Sequence, residues 1–252
     1  MNAAVAIFRR EFLAYFFTPL AYVIMAAFIL AAGAGFYQVV LIFGQPNAVP
    51  RPNPLSEVFF PIILYILMLV IPSITMRLLS EDLRSRSIEL FLTAPVREGE
   101  VVIGKFLGAF AFFAVMLGAT LVFVALASHY ATPGLDFGPI AASYLGFLGI
   151  GAMLISIGCF ISAFCKNQIV AFVFTAVTIL LLQLLPGLKQ FAESNQGIMA
   201  TVGAVAEYVA YTAQFVDFSR GIVDLRHLTI YVTVTAFFLF ATTLVLALRK
   251  AR

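Results

Sequence analysis

The sequence predicts an all-α polytopic membrane protein with six transmembrane helices, and three observations carry that prediction. Of its 252 residues 63% are hydrophobic and only 11% are charged, with a mean hydropathy of +1.06, whereas soluble domains are roughly 45–50% apolar. The apolar residues gather in six runs, Leu20–Phe43, Val58–Thr75, Phe106–Ala127, Pro139–Phe164, Gln168–Leu185 and Leu228–Leu248. Each run is near the roughly 20 residues that a helix needs to cross the hydrocarbon core. Third, Lys and Arg are sorted between the connections. Eleven of the 15, from Arg9 and Arg10 to Arg249, Lys250 and Arg252, share the side of the termini, and only Arg51, Lys189, Arg220 and Arg226 lie opposite. Positive charge stays in cytoplasmic segments, so both termini are expected in the cytoplasm. The whole of 1–252 reads as one membrane domain, and the net charge of +3 records topology and gives no sign of nucleic-acid binding.

Residues 1–18 precede the first run. Phe8, Phe12 and Phe16 recur every fourth residue beside Arg9, Arg10 and Glu11, which gives a helix one aromatic and one charged face. Such a helix lies on the membrane surface, and Pro19 suits the first turn of the next helix. The first run exceeds the roughly 7–15 residues of a signal-peptide core, so it reads as an uncleaved span. Pro46, Pro50, Pro52 and Pro54 then mark an external loop.

Residues 77–105 form a cytoplasmic segment with unusual charge density. Ser80 reads as an N-cap with Glu81 and Asp82 in the first turn, where they meet the helix dipole favourably. Asp82 and Arg86 are placed to pair four apart. Leu79, Leu83, Ser87, Phe91 and Ala94 fall on one stripe, and Pro95 ends the helix, which predicts an amphipathic helix over Ser80–Ala94. Gly99 to Lys105 has the spacing of a phosphate-binding loop. Phe106 nevertheless stands where a magnesium-binding Ser or Thr is needed, and no strand precedes it. Gly104 and Gly108, four apart, suit close helix packing, as do Gly146, Gly149 and Gly151 in the fourth run.

On the other side, Ser128 to Gly138 is a short connection, and Cys165-Lys166-Asn167 closes a tight cytoplasmic hairpin between runs four and five. The external segment 186–227 is too long to be structureless. Ile198–Ala206 is apolar but too short to span, and Tyr208, Tyr211, Phe215 and Phe218 follow it, which predicts short helices at the outer interface with tyrosines at headgroup level.

Chemistry is sparse inside the runs. They contain no Asp, Glu, Lys, Arg or His in their interiors, whereas pumps and ion-coupled carriers place such groups at membrane depth. Gln38 and Gln183, with Thr75, Thr120 and Ser156, are therefore the substrate-path candidates. His129 and His227 read as interfacial polar residues, and Cys159 and Cys165 as thiols in apolar helices. No nucleophile, base and orienting group assemble. The expectation is no catalytic residue, no metal and no cofactor on this chain.

Three stretches resemble the type-2 ABC transporter permeases, most closely the gliding-motility-associated subunits. They are Arg10 to Phe16 with Thr18-Pro19-Leu20-Ala21-Tyr22, then Glu81-Asp82 with Ile88 to Val96 and Val102 to Lys105, and Gly221 to Leu225 before the last run. The resemblance implies a permease in the bacterial inner membrane that dimerises with itself or a related permease. It also implies a separate cytoplasmic ABC ATPase that binds ATP and magnesium and receives the coupling helix. Carried onto this sequence, Glu81, Asp82, Arg84 and Glu89 are the expected polar contacts to the ATPase, with Leu83 and Phe91 as anchors. Arg86-Ser87 departs from the family's usual Gly-Thr, which implies a more charged contact. The expected function is ATP-driven export. A force-transmitting unit that moves surface machinery without passing a solute is the alternative, and an ion-driven secondary transporter is a third.

Overall fold

The computed structural model describes residues 3–45, 53–84, 97–130, 134–193 and 210–250. All the regular structure among them is helical. Helix α1 (Ala3–Phe17) precedes α2 (Pro19–Phe43), and a π-helical turn at Leu55–Phe59 leads into α3 (Phe60–Thr75). The short α4 (Ser80–Arg84) is followed by α5 (Glu98–Ala119), α6 (Leu121–Tyr130), α7 (Phe137–Phe164), α8 (Gln168–Glu193), α9 (Tyr211–Ser219) and α10 (Leu225–Lys250). Each of the six apolar runs lies in a helix long and apolar enough to cross a membrane.

The bundle is built round α7. About 67% of its most apolar window is buried, against 17% for α8 and α10, and it touches α3, α5, α8, α9 and α10. Small residues make this possible. Phe218 of α9 lies against Gly146, and Tyr231 of α10 against Gly149, so the close packing expected of these glycines is present. Phe60, Tyr144 and Phe147 meet edge to face at the core, a favoured arrangement for aromatic quadrupoles.

The third span is longer than its apolar run at both ends, because α5 and α6 join into one 33-residue stretch. The chain bends at buried Thr120, whose hydroxyl donates to Leu117 O at 2.6 Å and contacts Tyr144 Oη at 2.7 Å. In the external segment, α8 runs on through Pro186, and residues 194–209, which include Ile198–Ala206 and Tyr208, lie outside the described residues. The aromatic face of α9 packs into the bundle, with Phe215 4.6 Å from Phe147 between ring centres. Tyr211, expected at headgroup level, is buried and donates to Gln183 Oε1 at 3.4 Å. Burying three aromatics against α7 and α8 outweighs what one interfacial phenol gains from water.

Helix α1 packs lengthwise on α5. A Cβ at Gly104 would come 2.8 Å from Ile7 Cγ2, and one at Gly108 would come 2.9 Å from Glu11 Cβ. These two glycines thus hold the close approach expected of them. The division of α1 into faces differs from the sequence prediction. Arg9 and Arg10 are exposed as expected, but Glu11 turns onto the packed face with Ile7 and Tyr15. The reason is electrostatic, since Lys105 of α5 lies 3.0 Å from the Glu11 carboxylate.

Candidate coupling site

At the end of the bundle where α3 finishes and α5 begins, three elements are tied by charge. Lys105, on the second turn of α5, is 2% exposed. Its Nζ lies 2.7 Å from Asp82 Oδ2 of α4 and 3.0 Å from Glu11 Oε1 of α1. Arg10 Nη2 donates to the same Glu11 oxygen at 2.7 Å. An ammonium taken out of water needs such partners, because an unpaired buried charge costs several kcal/mol. Burial pushes the Glu11 carboxyl up, but Lys105 and Arg10 outweigh that and hold it below its ordinary 4.5. Glu11 is therefore an anion at neutral pH, and this is why α1 presents it to α5.

Hydrogen bonds complete the tie. Tyr15 stacks on Phe112 of α5 with 4.6 Å between centres, and its hydroxyl donates to Ile74 O at the end of α3. Ser162 Oγ, near the end of α7, accepts from the backbone N–H of both Leu79 and Ser80, at 3.1 and 3.0 Å. The first donors of α4 are thus capped from across the bundle. This corrects the reading of Ser80 as an N-cap. Leu83 N–H already bonds Leu79 O, and the buried Ser80 hydroxyl donates back to Met76 O, so it is not the acceptor that a cap requires.

The residues singled out for ATPase contact divide into two groups. Glu81 and Arg84 are exposed on α4 and Leu83 is half-buried, while Asp82 faces inward to Lys105. Glu81 accepts from Arg77 Nε at 3.1 Å, an i,i+4 pair not foreseen from sequence. Arg86, Glu89, Phe91 and the rest of the stripe lie outside the described residues, so the helix is seen only over Ser80–Arg84.

The substrate-path candidates are dispersed. Gln38 is exposed on α2. Thr75, Thr120 and Ser156 are buried and satisfy carbonyls of their own helices, Thr75 to Ile71 O at 3.0 Å and Ser156 to Met153 O at 2.7 Å. Gln183 is half-buried beside Tyr211. None of the five bonds another. Among the described residues no cluster of three or more His, Cys, Asp or Glu could hold a metal. His227 Nε2 lies 3.0 Å from Asp217 Oδ2, which gives that histidine a protein partner.

Lys105, Tyr15 and Ser162 were not singled out by sequence. Lys105 is read from sequence as one of the basic residues fixing topology, and it stands just before the apolar run Phe106–Ala127 in the same helix. The signal was present in that a lysine between Gly104 and Gly108, on a face meant for close packing, must itself be packed.

Six helices long and apolar enough to cross a membrane define a polytopic membrane protein, with an ionic tie joining α1, α4 and α5 at one end. Residues 15–249 match the family described as ABC-2 family transporter protein, and the chain belongs to that family. No curated protein matches it.

Proposed function

We propose that this chain is the permease subunit of an ATP-driven ABC exporter, moved by a separate cytoplasmic ATPase that carries ATP and magnesium. Membership of the ABC-2 family supports the partner's class, since that family implies association with an ABC ATPase. The observation that carries the coupling role is the buried Lys105, which joins α4 to both α1 and α5. In this reading the ATPase grips the outward side of α4 through Glu81, Leu83 and Arg84, and also contacts Glu89 and Phe91 further along the chain. Asp82 stays on the inner side and passes the displacement through Lys105 to α1 and α5. Ser162 passes it to α7, the helix that most others touch. Rigid helices joined by short polar contacts move together, whereas a solvated loop would dissipate the push.

The sorting of Lys and Arg supports cytoplasmic termini, with α4 facing the cytoplasm, and the resemblance to the gliding-motility permeases supports a bacterial inner-membrane location. The likeness of Arg10 to Phe16 with Thr18 to Tyr22, of Glu81-Asp82 with Ile88 to Val96 and Val102 to Lys105, and of Gly221 to Leu225 supports the gliding-motility branch, and a second copy or a related permease completes the dimer. The test is ATP hydrolysis by the reconstituted complex. Glu89→Lys is expected to lower permease-stimulated hydrolysis while the spans stay folded, and normal partner binding with full stimulation would refute the contact.

A second reading, a force-transmitting unit that passes no solute, is favoured by the dispersal of Gln38, Thr75, Thr120, Ser156 and Gln183. Cysteines at these positions, labelled during ATP turnover, separate the two. A pathway exposes several together, and a lever exposes none. The ion-driven alternative requires transport that survives removal of the ATPase.

A further inference from the structure

We infer that a groove between α8 and α10 binds one anionic phospholipid, with its phosphate on Arg226 and an acyl chain lying along the groove. The cavity measures about 810 Å³, within the roughly 300–1,000 Å³ of ligand sites. Met153 and Ile157 of α7 form its floor, Leu182 of α8 one wall, and Ile230, Val234 and Phe238 of α10 the other. The threonines that line it add little polarity. Thr178 and Thr229 donate their hydroxyls to Phe174 O and Leu225 O, both at 2.8 Å.

Among the described residues Arg226 is the one charged residue in this lining. Its backbone N–H bonds Asp224 Oδ1 at 2.8 Å, and among the described residues its guanidinium is in no ion pair. Asp217 of α9, near this end, is taken by His227. Geometry gives the groove its length. Arg226 stands at the start of α10 and Phe238 at its middle, about 18 Å apart at 1.5 Å per residue. Half of a bilayer roughly 40–45 Å thick with its headgroups is about the same. The groove therefore runs from headgroup level to the midplane of one leaflet, the outer one in the orientation proposed above.

Charge complementarity selects the occupant. An apolar helix from a second copy would bury Arg226 without an acid, which is costly. A lipid phosphate supplies a bidentate acceptor for the guanidinium, and its acyl chain covers the apolar walls. A lipid without net charge competes poorly, because its own cation already pairs with the phosphate.

Native mass spectrometry of the full chain tests this, titrating phosphatidylglycerol, phosphatidylcholine of the same chains, or inorganic phosphate. Phosphatidylglycerol is expected to bind about tenfold more tightly than phosphatidylcholine, as one charge-assisted contact allows. Arg226→Gln should abolish that preference, Val234→Trp should fill the groove and weaken both lipids, and Arg220→Gln, exposed outside the groove, should change neither. An unchanged preference in Arg226→Gln, or an equal loss in Arg220→Gln, would overturn the proposal. So would displacement of lipid by inorganic phosphate alone, or a disulfide between copies of Thr233→Cys in membranes, which would put a second protomer on the groove. If Val234→Trp fails to fold, the Arg226→Gln comparison decides. No ATPase enters the assay, so its result is separate from the coupling reading.

Discussion

Lys105 decides most of what happens at the cytoplasmic end proposed here, because two carboxylates depend on it. Lys105→Met is expected to destabilise the detergent-purified chain by about 3–5 kcal/mol, the usual cost of leaving buried charge unpaired. A triple variant that adds Glu11→Gln and Asp82→Asn should recover much of that loss, which thermal unfolding can measure. The same group sets a pH dependence. The Glu11 carboxyl sits lower in the folded chain than its ordinary 4.5, so its contribution to stability is complete above that value and is lost as pH falls through the folded one. The melting gap between wild type and Glu11→Gln should therefore close in acid. A gap that persists with every carboxylate protonated would mean that Glu11 acts by packing alone. Sequence made Glu11 a surface charge because the spacing of Phe8, Phe12 and Phe16 defined the face, and nothing local says that a lysine 94 positions away will compete for it.

Among the elements, α4 shows how a five-residue helix can be held without a cap of its own. Ser162→Ala removes the acceptor for two backbone donors, and each buried donor left unmade costs about 1–3 kcal/mol. The expected result is a chain that keeps its six spans by circular dichroism but exchanges the Leu79 and Ser80 amides faster. Protection unchanged from wild type would remove the cross-bundle cap. Gly108→Leu should free α1 from α5, since even a Cβ there sits 2.9 Å from Glu11 Cβ, and protease cleavage within α1 reads this directly. The spans were legible because twenty apolar residues have few other uses, and their observed ends fall within a few residues of the runs, except at α5 and α8. There, charged or proline-bearing turns extend a helix that hydropathy had cut short. The docking of α9 was not legible, because Tyr and Phe at helical spacing suit a headgroup belt and a protein groove equally. Only Gly146 and Phe147 opposite them decide it.

For the whole molecule, the ionic tie and the Arg226 groove lie at opposite ends of the bundle, and α7 contacts the helices that carry both. Of the polar groups that sequence offered for a pathway, Thr75, Thr120 and Ser156 each donate a hydroxyl to a carbonyl of their own helix, and none of the five bonds another. The most direct measurement is site-specific photocrosslinking from position 84 in sealed inside-out vesicles during ATP turnover. We expect a crosslink to a soluble ATP-binding subunit that is lost when that subunit is stripped. A reagent-accessible position 84 in right-side-out vesicles, or ATP hydrolysis by the isolated chain, would contradict the view of this protein as a lever driven from the cytoplasm.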